Sequence, residues 1–240
     1  VIEGPALAAH GLARRFGHTL AVADIDLEVG RGETVAVFGP NGAGKTTLLK
    51  LLCGLLRPSA GEISLLGHST RKEPAAARRR LGYIAHSSFL YRGLSARENL
   101  AFYASLYGLD RPGARLSAML DRVGLNTRAD DPVRTFSRGM LQRLSIARAF
   151  LHEPELLFLD EPYTGLDREA SGILDGLLAA MRGGMGTVLM VTHDLPRGLS
   201  LATRVVLMSR GRIVDDRPAE GIGAPDLEEM YSSKVRAWVS

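Results

Sequence analysis

A glycine-rich segment, Gly39-Pro40-Asn41-Gly42-Ala43-Gly44-Lys45-Thr46-Thr47, leaves the residues around it little choice of structure. It fits G-x-x-x-x-G-K-[ST], a loop whose backbone N–H groups converge on phosphate oxygens. The preceding Glu33-Thr34-Val35-Ala36-Val37-Phe38 is mostly apolar and partly β-branched, which predicts a buried strand. The following Thr47-Leu48-Leu49-Lys50-Leu51-Leu52 is rich in helix formers. Strand, loop and helix in that order are the context such a loop requires. Its glycines let the backbone bend, and a helix opening near Lys45 turns its positive dipole end toward an anion. In this arrangement Lys45 reaches the β- and γ-phosphates of a nucleoside triphosphate, and the Thr46 hydroxyl ligates Mg²⁺.

The chain of 240 residues is long enough for one large α/β domain, or for a core carrying a smaller subdomain. Its 30 basic and 26 acidic residues leave a net charge of only +4, which is no footprint for nucleic acid. The dense run Arg78-Arg79-Arg80 reads as a solvated helix face. The single cysteine, Cys53, excludes an intramolecular disulfide, fits a reducing compartment and sits among leucines as a core thiol would. No apolar run approaches the roughly 18 residues of a membrane span. The start, Val1-Ile2-Glu3-Gly4-Pro5, lacks both an initiator methionine and the basic region of a signal sequence, so it reads as a trimmed end. The expected location is the cytoplasm or the cytoplasmic face of a membrane.

Along the chain, Ala6 to Phe16 and Ala21 to Val29 read as strands separated by Gly17-His18, ahead of the strand into the loop. Helix is predicted over 45–55, strand over Glu62 to Gly67, helix over Glu73 to Arg80, and strand over Leu81 to Ala85. From Ser87 to His152 the pattern is helical. Ser95-Ala96-Arg97-Glu98 has the capping-box form, Ala114 to Val123 follows Pro112, and a third helix spans Met140 to Leu151. Glu155 to Asp160 is an apolar strand ending in two acids, Asp160 and Glu161. A buried parallel strand delivers such groups at its carboxyl end. Helix Ser171 to Met181, strand Thr187 to Thr192, and two antiparallel strands, Arg204 to Met208 and Arg212 to Val214, complete the core. A short amphipathic tail segment puts Leu227, Met230 and Tyr231 on one face.

With Lys45 and Thr46 placed, Asp160 is the acid available to Mg²⁺, and Glu161 is positioned to orient or deprotonate water. These residues, together with Phe136-Ser137-Arg138-Gly139-Met140-Leu141-Gln142-Arg143, Leu159-Asp160-Glu161-Pro162 and Gly165-Leu166-Asp167, resemble the ATP-binding subunit of ABC transporters over nearly the whole chain. The resemblance implies an α/β fold: a phosphate-loop NTPase core with a mostly parallel sheet, an antiparallel β subdomain and an inserted helical subdomain. The corresponding divisions are 1–86 and 153–215 for the core, 87–152 for the helical insert with its signature loop, and 216–240 for the tail. It implies an ATPase that dimerises around two Mg-ATP, drives separate membrane subunits and acts at the cytoplasmic face of the membrane. Lys45, Glu161 and His193 then carry the chemistry, Thr46 and Asp160 the metal. Phe16, taken alone a core aromatic, becomes the ring stacked on adenine. His86 stands where the family has a glutamine linking ATP to the membrane subunit, and Ser137, Gly139 and Asp167 contact nucleotide or partner across the dimer.

The signature loop departs from the family's Leu-Ser-Gly-Gly-Gln at Arg138 and Met140, and His86 departs from glutamine. Both departures bear on coupling, while the residues of hydrolysis are intact. Residues 82–91, with the altered signature, further resemble the ATP-binding subunit of the bacterial haem exporter of cytochrome c maturation. Drug, lipid or polysaccharide exporters share most of the same sequence. An ABC ATPase acting on DNA or ribosomes, or a metabolic phosphate-loop kinase, are the alternatives from other classes. The coiled coils and tandem domains of the former are missing here, and Ser137–Arg143 with His193 argue against the latter.

Overall fold

The computed structural model describes residues 4–85 and 87–236. Its first half runs β1 (Leu7–Phe16), β2 (Thr19–Val29), β3 (Thr34–Phe38), α1 (Lys45–Leu52), β4 (Ala60–Leu65), β5 (His68–Ser69), α2 (Pro74–Arg79) and β6 (Leu81–Ile84). Three helices follow: α3 (Ala96–Tyr107), α4 (Gly113–Arg122) and α5 (Arg138–Phe150). The chain then returns through β7 (Leu156–Asp160), α6 (Arg168–Gly183), β8 (Thr187–Val191), α7 (Leu195–Leu201), β9 (Arg204–Ser209), β10 (Arg212–Pro218) and α8 (Ala224–Arg236).

These strands form two sheets. A four-stranded antiparallel sheet has the order β2-β1-β4-β5, and a six-stranded mixed sheet has the order β10-β9-β3-β8-β7-β6. All five residues of β3, of β7 and of β8 are buried, as strands covered on both faces must be. Alternation divides them between two cores. Val35, Val37, Phe158 and Leu189 point with α1 toward the antiparallel sheet. Ala36, Phe38, Leu159 and Met190 point toward Ile146 and Phe150 of α5 and Leu174, Leu177 and Leu178 of α6. Truncating a fully buried ring such as Phe158 to alanine should cost about 3–5 kcal/mol. A third apolar cluster, built on Leu100, Leu116, Leu120, Leu144 and Leu151, holds α3, α4 and α5 together.

The helix starts follow local chemistry. At α3 the expected capping box is formed: Glu98 N–H donates to Ser95 Oγ at 3.1 Å, and Ser95 N–H donates to Glu98 Oε2 at 2.7 Å. α5 begins at Arg138, two residues before the expected Met140, because Ser137 caps it by accepting from Met140 N–H. α6 likewise begins at Arg168 rather than Ser171, capped by Asp167, and runs on to Gly183. α1 stops at Leu52, short of the expected 55.

Other expectations are corrected in the last third. α7 was not foreseen. β9 and β10 are antiparallel to each other as expected, and β9 also pairs parallel with β3, so β9 alone of the two continues the parallel core. β10 extends to Pro218, past the expected boundary at 215, and the tail beyond it carries α8, with Leu227 buried and Met230 and Tyr231 against the second core. Cys53 is the core thiol expected, and burial pushes its pKa up to about 11. His86 lies outside the described residues.

Candidate nucleotide site

The loop between β3 and α1 is shaped by close backbone approach. A Cβ at Gly39 would lie 2.3 Å from the Met208 carbonyl oxygen, and one at Gly44 would lie 2.2 Å from that of Ala21. Gly44 also has φ +97°, a left-handed conformation that side chains avoid, and it is the residue from which α1 departs. Gly211 N–H donates to the Ala43 carbonyl at 2.9 Å, and Ala23 N–H donates to the Gly211 carbonyl at 2.8 Å. The loop is therefore clasped between β2 and the β9–β10 turn. The part of Gly211 in the loop is a tertiary contact for which the sequence carries no local signal.

Lys45 is buried, and its Nζ donates to the carbonyls of Gly39 at 2.7 Å and Pro40 at 3.0 Å. Burial lowers its pKa, against the opposing pull of Glu161 and Asp160. The amine is thus held over the loop by two carbonyl oxygens, and an anionic phosphate is a stronger partner. The next side chain, Thr46, donates its hydroxyl to Asp160 Oδ1 at 2.9 Å. Burial raises the Asp160 pKa, which the Thr46 hydrogen bond and the nearby lysines oppose. A buried carboxylate beside a hydroxyl is a pair of hard oxygen donors, and a divalent cation such as Mg²⁺ fits it.

Glu161 follows Asp160 at the end of β7 and adopts φ +51°. Its N–H donates to the Val191 carbonyl at 2.9 Å, at the end of the neighbouring β8. Its Oε2 accepts from His193 Nδ1 at 2.8 Å. Lys45, Thr46, Asp160, Glu161 and His193 are thus brought together at the carboxyl ends of β3, β7 and β8.

The remaining candidates lie around this group. Phe16 closes β1 and is 46% exposed, with the Arg14 guanidinium 4.6 Å from its ring centroid. Ser137 and Gly139 open α5, where a Cβ at Gly139 would stand 3.1 Å from Asp167 Oδ2. Asp167 itself accepts from Ala170 N–H at 2.7 Å. Ser137, Gly139 and Asp167 form a second cluster, and none is hydrogen-bonded to the loop 39–47 among the described residues. Arg138 points along its own chain, its Nη2 2.5 Å from where a Cβ at Gly165 would stand. A cleft of about 310 Å³ between α5 and the Glu161–Leu166 segment is lined by Arg138, Gln142, Ser145, Glu161 and Thr164. A larger cavity, about 860 Å³, lies elsewhere, between α4, α5 and α6, and includes none of the residues named for nucleotide.

The family profile described as ABC transporter matches residues 22–164, more than half of the chain. The chain belongs to the ABC transporter family. It is an ATPase of that family, with the fold expected of its ATP-binding subunits. A daunorubicin resistance ATP-binding protein of Streptomyces coeruleorubidus is 38% identical over 91% of this chain and 70% of its own length. The ABC transporter ATP-binding protein NatA of Bacillus subtilis is 34% identical over 92% of both chains. A solved ATP-binding subunit of an ABC transporter superposes with a TM-score of 0.88 at 31% identity, covering 95% of this ABC ATPase and 99% of that chain. No helix among the described residues is long and apolar enough to cross a membrane.

Proposed function

We propose that this ABC ATPase binds Mg-ATP between two copies of itself and drives the export of an amphipathic small molecule through separate membrane subunits at the cytoplasmic face. The observation that carries the reading is the convergence of Lys45, Thr46, Asp160, Glu161 and His193. In it, the loop Gly39–Thr47 and Lys45 hold the phosphates, and Phe16 offers the ring face not covered by Arg14 to the adenine. Thr46 and Asp160 would hold Mg²⁺, which supplies charge neutralisation at the phosphate oxygens when bound. Glu161 accepts the proton of the attacking water, and His193 fixes the orientation of that carboxylate.

The dimer is supported by what the second cluster lacks: Ser137 and Gly139 have no loop phosphate site of their own to serve within one chain, and Asp167 stands beside them. Facing a second copy's loop, they complete its site. Residues 87–152, with their own apolar cluster, are proposed to act as a helical subdomain on the 1–86 and 153–215 core. The likeness to a daunorubicin resistance protein supports drug export rather than haem export as the finer reading. His86 is proposed to link this subdomain to the membrane subunit.

The test is reconstitution with the co-purified membrane subunits. Expected are Mg-dependent ATP hydrolysis and vectorial movement of an anthracycline in vesicles, both abolished by Lys45→Ala. Glu161→Gln with Mg-ATP should accumulate as a dimer by light scattering. A Glu161→Gln chain that stays monomeric even with its membrane partner would sink the composite-site reading.

A further inference from the structure

Behind Glu161 and His193 is a group of side chains that nucleotide binding does not use. Tyr163 lies two residues past Glu161, on the turn that leaves β7. Arg197 lies four residues past His193, in the first turn of α7, and Asp175 projects from α6 between them. The Arg197 guanidinium stacks on the Tyr163 ring with its carbon 3.5 Å from the ring centroid. The same guanidinium donates through Nη2 to both oxygens of Asp175, at 3.1 and 2.8 Å. Tyr163 completes the group by donating its hydroxyl to Asp175 Oδ1 at 2.6 Å.

We infer that Tyr163, Asp175 and Arg197 form a clamp that positions Glu161 against His193 for hydrolysis; the inference rests on the ATPase reading above. Two facts require a positioning device. Glu161 sits at φ +51°, a conformation that persists only where its surroundings hold it. The His193 side chain is 70% exposed, so its own burial does little to fix the ring. Their two mutual hydrogen bonds both meet at Glu161 Oε2, so the contact between the two side chains rests on a single carboxylate oxygen.

The clamp supplies a second point. Pro162, buried and with its φ set by the ring, connects Glu161 to Tyr163 with little slack. On the other side, Arg197 N–H donates to Asp194 Oδ1 at 3.0 Å, and Asp194 N–H donates to Thr192 Oγ1 at 3.1 Å. That chain of bonds ties Arg197 to the end of β8 and to the residues flanking His193. A planar guanidinium lies flat on the ring while its Nη2 edge reaches the carboxylate, a packing that a compact, strongly hydrated ammonium group does not reproduce.

The experiment is steady-state ATP hydrolysis by the full chain with its membrane subunits, alongside fluorescent-nucleotide binding. Arg197→Ala should lower kcat roughly tenfold or more, since small misplacements of catalytic groups act at that scale, with KM and nucleotide affinity within about twofold. Arg197→Lys should fail to restore the rate, whereas Tyr163→Phe, which keeps the stack, should lose less than Arg197→Ala. In a Glu161→Gln background, Arg197→Ala should produce no further loss, because its effect passes through Glu161. A fully folded Arg197→Ala chain with unchanged kcat would overturn the clamp. So would a loss of equal size with and without the Glu161 carboxylate, or a parallel weakening of nucleotide binding. A wild-type complex without turnover that depends on Lys45 would instead overturn the ATPase reading, and the clamp with it.

Discussion

Glu161 Oε2 takes two hydrogen bonds from one residue, from His193 Nδ1 at 2.8 Å and from the His193 backbone N–H at 3.3 Å. A glutamate so held has a fixed oxygen and leaves the other for water. Glu161→Gln preserves shape and acceptor capacity at one atom but removes the base. Its kcat should fall by about 10²-fold or more, the usual scale for a general base, while ATP affinity changes little. His193→Ala removes only the ring bond and should cost less than Glu161→Gln. Comparing kcat and nucleotide affinity for the two variants checks the order.

Lys45 occupies the loop carbonyls of Gly39 and Pro40, so its removal leaves two neutral acceptors and no unpaired charge of its own. Lys45→Ala should therefore fold with little loss of stability but fail to bind ATP. The measurement is paired: thermal unfolding, expected within a few degrees of wild type, and nucleotide titration, expected to show no saturable binding.

The glycines of the loop should behave in the opposite way. A methyl at Gly39 meets the Met208 carbonyl at 2.3 Å, and one at Gly44 meets the Ala21 carbonyl at 2.2 Å with an unfavourable φ as well. Backbone cannot swing aside as a side-chain end can, so Gly39→Ala and Gly44→Ala should each destabilise by about 3 kcal/mol or more. Urea unfolding without nucleotide separates this from a binding defect.

The loop and its strand and helix were legible because the glycine spacing, the apolar run 34–38 and the leucines of α1 agree with one another. The ends of β7 and β8 were legible for the same reason: four apolar residues, Leu156–Leu159 or Val188–Val191, run into Asp160 and Glu161 or into Thr192 and His193. α7 was not, because seven residues containing Pro196 and Gly198 carry poor helix propensity, and the Asp194 cap is what starts it. Nor was the parallel pairing of Val35 with Arg204, since two strands this distant in sequence leave no periodic trace of register. The clasp of Gly211 on Ala43 and the Tyr163–Asp175–Arg197 group are likewise contacts between remote segments. Local pattern reports which face is buried, and it does not report against what.

Arg138 replaces a glycine of the related signature loops, and a guanidinium reaching the opposite γ-phosphate from there would act as an arginine finger does. Its guanidinium lies against Gly165 of its own chain. Arg138→Gly should accordingly alter the ATPase rate by less than about threefold, against the 10³-fold or more that an arginine finger supplies. A hundredfold loss in kcat would assign it that role.

His152 makes stability depend on pH. Its ring stacks on Tyr107 at 3.6 Å, and its Nε2–H donates to the Leu81 carbonyl at 2.8 Å. That bond leaves Nδ1 without a proton, buried and with no partner among the described residues. Charging the ring would create a donor with no acceptor, close to Arg148 and Arg115, so burial, opposed by the Leu81 bond and aided by those cations, depresses its pKa to about 4. The unfolded chain, near the ordinary value of about 6.5, binds this proton more readily than the folded one, so stability rises with pH across the interval. The contribution is full above about pH 6.5 and is lost as pH falls toward 4. From about pH 7.5 to about pH 5 it should amount to about 2 kcal/mol. His152→Gln keeps a donor for Leu81 but has no proton to gain, so subtracting its urea-unfolding free energies from those of wild type isolates the term. Equal losses in the two proteins over that range would show that His152 titrates no differently on folding.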